Sequence, residues 1–363
     1  MTDGAAGAAH SLPPGSTIGI LGGGQLGRML AIAAARLGLK CHIYEPAPNP
    51  PAGDLAAQVT TAAYDDHTAL QAFAKAVDVV TYEFENVPAE ALDLIEANVP
   101  IRPGRQALAV SQDRADEKTY LEGLGIAVAP WAAVDDVDDL TAAAEKVGLP
   151  SILKTRRFGY DGKGQVRLNA EGDLAGALDA IGNAPAVLEG FVPFQREVSV
   201  IAARGLAGEV VCFDIGENVH RDGILHTTTV SAATGKGVRT DAALMAGKIL
   251  NALDYVGVIG AELFVTRAGL LVNEIAPRVH NSGHWTIEAC AIDQFQQHIR
   301  AICGWPLGDG SRHSDAVMTN LIGNEANAWQ SLAQLGGGLH LYGKAEGRPG
   351  RKMGHVTQIS PKS

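Results

Sequence analysis

Two glutamates stand where a charge needs a reason. Glu262 lies in the middle of "IGAELFV" and Glu274 in the middle of "LLVNEIAP", and both stretches read as strands, separated by "RAG". Carboxylates are seldom buried unless they are paired or bind a metal. Two neighbouring strands that each turn one carboxylate inward make a magnesium site, since Mg²⁺ takes one or two carboxylates plus substrate phosphates and water. The plainer alternative is one outward, salt-bridged glutamate per strand. Asn273 falls on the opposite face from Glu274 under strict alternation, unless the strand bends locally.

The next segment, "PRVHNSGHWTIEAC", packs Arg278, His280, Asn281, Ser282 and His284 together before a helix begins near Thr286. Beside a metal, such groups could hold a small anion and stabilise charge on a phosphoryl group in transfer. A further phosphate signal is "LKTRRFGYDGKGQ", from Leu153 to Gln165, which lies between two strands. It lacks G-K-[ST] and is not a P-loop. Lys154 sits on the first strand with Arg156 and Arg157 after it. Gly159, Gly162 and Gly164 make a hairpin whose amides could close over phosphates. An ordinary glycine-rich hairpin with solvated charges is the alternative.

A third signal is "ILGGGQLGRML", with Gly22, Gly24 and Gly27 at G-x-G-x-x-G spacing between a strand and a helix. Glu45 ends the following strand, about where an acid would take a ribose hydroxyl of NAD. Backbone amides at a helix N-terminus suit any anion, however. From these residues alone NAD, another phosphate ligand and a purely structural tight turn all remain open.

The elements that must carry these groups fall into two patterns. Residues 17–100 alternate short apolar strands with helices, which implies a parallel sheet covered on both faces. "RPGRQALAVSQDRADEKTYLEGLG" is a polar, helical connection. After it come strands at "SILKT", "QVRLN", "AVLEGFV", "REVSVIAAR", "EVVCFDIGENVH" and "GILHTTTVSA" with few helices between, the mark of a largely antiparallel sheet. The helix "DAALMAGKILNALDY" and the two glutamate strands follow. A tail module after "GWP" holds Gly336–Gly338 and the basic stretch "GRPGRKMGH". The fold class is therefore mixed: α/β at the start and α+β after it.

Composition narrows the partners. The chain has 363 residues, 46% apolar and 19% charged, with a net charge of 29 − 40 = −11. Such acidity speaks against general nucleic-acid binding, which needs a basic surface. Cys41, Cys212, Cys290 and Cys303 are scattered and read as reduced core thiols. No apolar run approaches the roughly 20 residues of a membrane span. The opening "MTDGAAGAAHSLPPGST" has no signal-peptide pattern and reads as a disordered tail. These features point to the cytoplasm.

Taken in order, "GGGQLGRM", "TYEFENVP", "SQDR", "LKTRRFGYDGKGQ", "EGFVPFQREVSV", "NEIAPRVHNSGHWT" and "GRKMGH" resemble the ATP-grasp ligases, and among them the 5-(carboxyamino)imidazole ribonucleotide synthetases. The resemblance runs from Ile18 to His355. It implies a disordered tail over 1–16, a Rossmann-like pre-ATP-grasp domain over 17–113, an ATP-grasp domain over 114–304 with a lid at about 118–192, and a small C-terminal module over 305–363. It implies an ADP-forming carbon–nitrogen ligase of purine synthesis. Bicarbonate attacks the γ-phosphate of ATP to give carboxyphosphate, and the amine of 5-aminoimidazole ribonucleotide takes the carboxylate directly or through released CO₂.

Carried over motif by motif, Arg114 and Lys154 would contact ATP phosphates, under a flap of Gly159, Tyr160, Asp161, Gly162, Lys163, Gly164 and Gln165. Glu189, Gly190, Phe191 and Val192 would line the adenine, Glu197 would bind the ribose, and His220 would lie against the nucleotide. Glu262 and Glu274 would carry two magnesium ions, with Asn273 beside them on the ATP. Arg278, His280 and Asn281 would hold bicarbonate or carboxyphosphate and, with Lys154 on the ATP phosphates, would be the catalytic groups. Gln25, Leu26 and Glu83, with Tyr160 and Asp161 of the flap and Lys344, Arg351 and Lys352 of the tail, would bind the ribonucleotide. A homodimer and a separate mutase that takes the product are the family's implied partners, with no membrane or nucleic acid.

Two departures stand out. Many ATP-grasp chains read E-I-N-P-R where this one reads "EIAPR", so Ala276 cannot supply a third metal ligand. Val279 stands where proline is expected. The competing readings are a formate-dependent glycinamide ribonucleotide transformylase, which shares the architecture, and an NAD(P)-dependent oxidoreductase built on the first glycine loop.

Overall fold

The computed structural model describes residues 11–159 and 162–363; Tyr160, Asp161 and residues 1–10, most of the expected tail, lie outside the described residues. Strand β1 (Thr17–Leu21), helix α1 (Gln25–Arg36), β2 (Lys40–Tyr44), β3 (Gln58–Thr60), α2 (His67–Lys75) and β4 (Val79–Tyr82) give a four-stranded parallel sheet in the order β3-β2-β1-β4. β1 and β4 are covered on both faces, which is why "TIGIL" and "VVTY" carry no alternation. α1 buries Leu26, Met29, Leu30, Ala33 and Ala34, the spacing of one helical face. Helices α3 (Ala89–Glu96) and α4 (Arg105–Ser111) complete this layer.

Helix α5 (Arg114–Gly123) leads into the next unit. It starts at Asp113, whose carboxylate accepts the Ala115 amide at 2.9 Å as an N-cap. There follow β5 (Trp131–Val134), α6 (Val137–Val147), β6 (Ser151–Thr155), β7 (Gln165–Leu168), α7 (Ala177–Ala180) and β8 (Ala186–Gly190). The strands pair antiparallel in the order β5-β8-β6-β7. Val134, Leu140, Leu153, Leu168 and Leu188 form this layer's own small core.

The remaining strands are β9 (Arg196–Arg204), β10 (Val210–Cys212), β11 (Gly216–Arg221), β12 (Ile224–Val230), β13 (Gly257–Thr266), β14 (Gly269–Ala276), β15 (Ser314–Ile322), β16 (Gly338–Leu341) and β17 (Lys352–Pro361). Between them lie α8 (Lys236–Ala252), α9 (Thr286–Ala289), α10 (Gln294–Ile302) and α11 (Trp329–Ala333). The strands form one antiparallel sheet in the order β14-β13-β9-β11-β12-β15-β17-β16, with β10 paired to β9. The tail strands therefore extend the central sheet instead of forming a sheet of their own.

Two further expectations need correction. "EVVCFDIGENVH" is two strands, and the break lets Phe213 and Ile215 enter different cores. A continuous strand would have pointed both the same way. The described part of the tail is held in place: Leu12 donates to the Cys303 carbonyl at 2.9 Å and accepts the Trp305 indole N–H at 2.7 Å. An apolar anchor and paired backbone groups tie it to the end of α10.

α10 joins the two large layers. The buried His298 ring accepts the Val258 N–H at Nδ1 (3.0 Å), so Nε2 carries the proton and donates to Thr81 Oγ1 at 2.8 Å. The four cysteines are unbridged, and burial pushes the thiols of Cys41, Cys290 and Cys303 up to about 12. Among the described residues no helix is long and apolar enough to cross a membrane.

Candidate active site

A cleft of about 670 Å³ opens where the three layers meet. Glu262 and Glu274 face each other across its floor as registered partners on β13 and β14. The pairing then slips: Leu263 opposes Val272, so Asn273 is an extra residue on β14. Such a bulge breaks alternation, and Asn273 lines the same cleft as Glu274. Its Oδ1 is buried without a hydrogen-bond partner.

Positive charge is uneven around the pair: Arg114 and Lys154 bear on Glu274, whereas His220 and Lys352 act on Glu262 without offsetting its burial. Arg114, the first residue of α5, places Nη1 3.0 Å from Glu274 Oε2. Enclosure works against the Glu274 charge, but Arg114 and Lys154 outweigh it and hold its carboxyl well below the usual range. Glu262 moves the other way, raised by burial and by the Glu274 charge. Two facing acids with that tension, and an orphaned amide oxygen beside them, suit a divalent cation. Ala276 is buried nearby and offers nothing.

Lys154 projects from β6 into the cleft, two residues after Ile152 on the same face. Its Nζ donates to Glu189 Oε2 at 2.8 Å, and Lys118 Nζ lies 3.2 Å from the other oxygen. Burial would raise the Glu189 carboxyl, but the two lysines bring it down. Glu189 thus holds Lys118 together with the cleft-lining Lys154, and the Phe191 amide donates to the Pro150 carbonyl at 3.0 Å. Ile152, Leu225, Phe264 and Ile275 make one apolar stretch of the wall, with Phe194 stacked on Phe264 at 4.8 Å.

The flap spans β6 and β7. Gly159, Gly162, Lys163 and Gln165 line the cleft, whereas Gly164 packs against Thr155 behind it; Tyr160 and Asp161 lie outside the described residues. Across from the flap, His220 Nδ1 meets Glu197 Oε2 at 2.7 Å. Burial opposes a charge on His220, but that hydrogen bond raises it.

The polar loop after β14 divides: Ser282 and His284 turn into the protein. Arg278, His280 and Asn281 all line the cleft. Burial and the neighbouring Arg278 push His280 down to about 3, so it is neutral. Its Nδ1 accepts the Ser282 N–H at 3.3 Å, which leaves the proton on Nε2, 3.5 Å from Glu262 Oε1. Arg278 Nη2 pairs with Glu85 at 2.6 Å, while its Nε and both amide atoms of Asn281 are buried without partners. Those orphaned groups face a place for a ligand.

The first glycine loop is already filled. The Glu83 carboxylate accepts the amides of Gly24 and Gly27, the latter at 2.6 Å. Glu45 accepts the Gly23 amide at 2.9 Å and the Ala47 amide at 3.0 Å. A Cβ on Gly24 would stand 2.6 Å from Glu83 Oε1, so the glycine is needed for the carboxylate's approach. The pyrophosphate position of a dinucleotide is thus taken by a side chain, and the acid expected on its ribose is turned onto the loop. The oxidoreductase reading falls on this point. Gln25, Leu26 and Glu83 still line the cleft, as does Lys352 at the start of β17. Lys344 and Arg351 stand off the wall: Lys344 Nζ donates to the Lys352 carbonyl at 2.8 Å, and Arg351 Nη1 donates to the Glu346 carbonyl at 3.0 Å.

Sequence reasoning missed Glu85, Glu117 and Lys118. Glu117 is buried and accepts the Ile275 N–H at 2.9 Å, next to Glu274; burial and the Glu274 charge push it up to about 8. Helical spacing marks Arg114, Glu117 and Lys118 as one face of α5, a usable signal.

Comparison with known proteins gives a consistent picture. Residues 16–112 match the ribonucleotide synthetase preATP-grasp domain, residues 119–295 the ATP-grasp domain, and residues 316–363 the phosphoribosylaminoimidazole carboxylase C-terminal domain. The chain is 56% identical over 357 residues to an N5-carboxyaminoimidazole ribonucleotide synthase of Brucella melitensis, covering 97% of this chain and 99% of that one. It is 40% identical to the Bacillus subtilis protein of the same name, over 95% of this chain and 91% of that one. Among solved structures, the Staphylococcus aureus N5-carboxyaminoimidazole synthetase with ADP superposes with a TM-score of 0.92 at 39% identity, covering 97% and 95% of the two chains. The Aspergillus clavatus synthase with ADP and 5-aminoimidazole ribonucleotide gives 0.90 at 32% identity, covering 96% and 95%.

Proposed function

The chain belongs to the N5-carboxyaminoimidazole ribonucleotide synthase family of ATP-grasp enzymes, and from that premise we infer the chemistry of its cleft. It is an ADP-forming ligase of purine biosynthesis that carboxylates the amine of 5-aminoimidazole ribonucleotide at the expense of ATP. We propose bicarbonate as the carboxyl source. Its oxygen bonds to the γ-phosphorus while the bond to ADP breaks, giving carboxyphosphate. The amine nitrogen then bonds to the carboxyl carbon, phosphate leaves, and the nitrogen loses a proton.

One observation carries this reading. The same cleft holds a carboxylate pair, with Arg114 and Lys154 on the Glu274 side, and an anion cradle of Arg278, His280 and Asn281. Glu262 and Glu274, with Asn273 at the bulge, fit magnesium, which would shield the phosphate charges when bound. Arg114 and Lys154 then orient the ATP phosphates beneath the flap Gly159–Gln165. Glu197 and His220 suit the ribose, and Ile152 and Phe264 suit the adenine face. Neutral His280 contributes a donor and Arg278 the charge, so the small anion is fixed in line with the phosphorus. Gln25, Leu26 and Glu83 receive the ribonucleotide, with Lys352 near its phosphate; Lys344 supports Lys352 through its carbonyl, and Arg351 would have to leave Glu346 to join it. A homodimer in the cytoplasm and a separate mutase that consumes the product complete the proposal.

The test uses ¹⁸O-labelled bicarbonate with ATP, Mg²⁺ and the ribonucleotide. Label should appear in inorganic phosphate, with ADP released in step with carboxylated product. ADP formed without dependence on the ribonucleotide, or phosphate without label, overturns the scheme. Formate in place of bicarbonate should support no turnover.

A further inference from the structure

A cluster with metal-ligand chemistry lies outside the cleft, where α9 meets the β16–β17 hairpin. Glu288 on α9, His340 on β16 and His355 on β17 each offer a ligand atom, and these atoms lie within 4.8 Å of one another. His340 and His355 are cross-strand partners, and their rings stack at 4.5 Å. Glu288 Oε1 meets His340 Nε2 at 2.8 Å.

Three observations single this cluster out from an ordinary ion pair. His355 is fully buried, its Nδ1 is engaged by the Tyr342 hydroxyl at 2.8 Å, and its Nε2 has no hydrogen-bond partner. An imidazole oriented through one nitrogen by a hydroxyl, with the other left open, is the arrangement seen behind metal-bound histidines. Glu288 Oε2 is likewise buried and unpartnered. Gly338 makes room for that carboxylate, since a Cβ there would stand 2.3 Å from it.

We propose that Glu288, His340 and His355 bind one zinc-class divalent ion, separate from the magnesium of the cleft. Two imidazoles and one carboxylate form a donor set that zinc accepts with a fourth position for water, whereas magnesium prefers oxygen. Tetrahedral zinc needs its ligands about 3.3 Å apart, given bonds of roughly 2.0–2.1 Å. The widest separation must therefore close by no more than about 1.5 Å, while Glu288 Oε1 and His340 Nε2, 2.8 Å apart, must part slightly to take the ion between them. Glu288 and His340 can supply that movement, since their side chains are 21% and 29% exposed, and they also give the ion its way in. Burial keeps His355 neutral, as a ligand must be.

The experiment is equilibrium dialysis of the full chain against Zn²⁺ in excess Mg²⁺, with metal counted by elemental analysis and thermal unfolding read in parallel. One zinc per chain is expected, with a raised unfolding midpoint. His340→Ala and Glu288→Gln should each weaken binding about 100-fold, while Glu262→Gln and exposed His313→Ala should leave it unchanged. If a variant fails to fold, visible absorption of Co²⁺ bound to the unaltered chain reports whether imidazole and carboxylate ligate it tetrahedrally. No zinc held over magnesium, or zinc lost in Glu262→Gln and kept in His340→Ala, overturns the proposal and leaves the cluster as a histidine stack with an ion pair.

Discussion

At the scale of single residues, charge placement decides function. Lys352 is the tail cation on the cleft wall, so Lys352→Ala should raise KM for the ribonucleotide roughly tenfold, the worth of one charge-assisted hydrogen bond, and leave KM for ATP near its starting value. Steady-state kinetics with each substrate varied in turn checks this. Glu117 gives a pH signature. Its folded pKa of about 8 stands above the ordinary 4.5, so the native state holds a proton that the unfolded chain has lost. Its contribution to stability is complete below about 4.5 and disappears as pH rises through about 8. In chelator-treated protein, Glu117→Gln should lose less of its unfolding midpoint than the parent chain between roughly pH 5 and pH 9. An equal loss in both would assign the slope elsewhere. The glutamate pair and the Arg278–Asn281 loop were legible in the sequence because each motif is compact. Glu85 was not, because its meaning depends on Arg278, which lies far away in sequence and adjacent in space.

Secondary-structure elements fix how those residues meet. At the β7 end of the flap, Gly164 has φ of +69° and a Cβ would come within 2.6 Å of Thr155 Oγ1. Gly164→Ala should strain that turn and raise KM for ATP several-fold, with the fold intact by circular dichroism. His298 on α10 bonds β4 on one side and β13 on the other. His298→Leu keeps the bulk but strands two buried groups, at a cost on the order of 3 kcal/mol, readable as a lower urea midpoint. Alternation predicted the strands that carry Lys154, Glu262 and Glu274. It could not predict the bulge that brings Asn273 round, because a bulge is set by the partner strand's register. Nor could it show that Glu189 faces inward, since that depends on Lys118 and Lys154 converging on it.

At the scale of the whole molecule, three sheets meet at the cleft, and the tail strands belong to the central one. A chain shortened after His313 loses β15–β17, bares the edge of β12 and uncovers His284. It should aggregate instead of yielding a smaller active enzyme, as size-exclusion chromatography would show. The two-pattern organisation was readable from the sequence; the tail's membership of the large sheet was not, because strand order is invisible to local pattern. The Glu83 cap also has a consequence for how the enzyme lives among other anions. A ligand tethered to its own binding loop acts at a fixed effective concentration, in the millimolar range or above. Free phosphate and dinucleotides in the surrounding medium must outcompete it before they can enter. The loop keeps the shape of a nucleotide receptor while its amides stay occupied by the chain's own carboxylates.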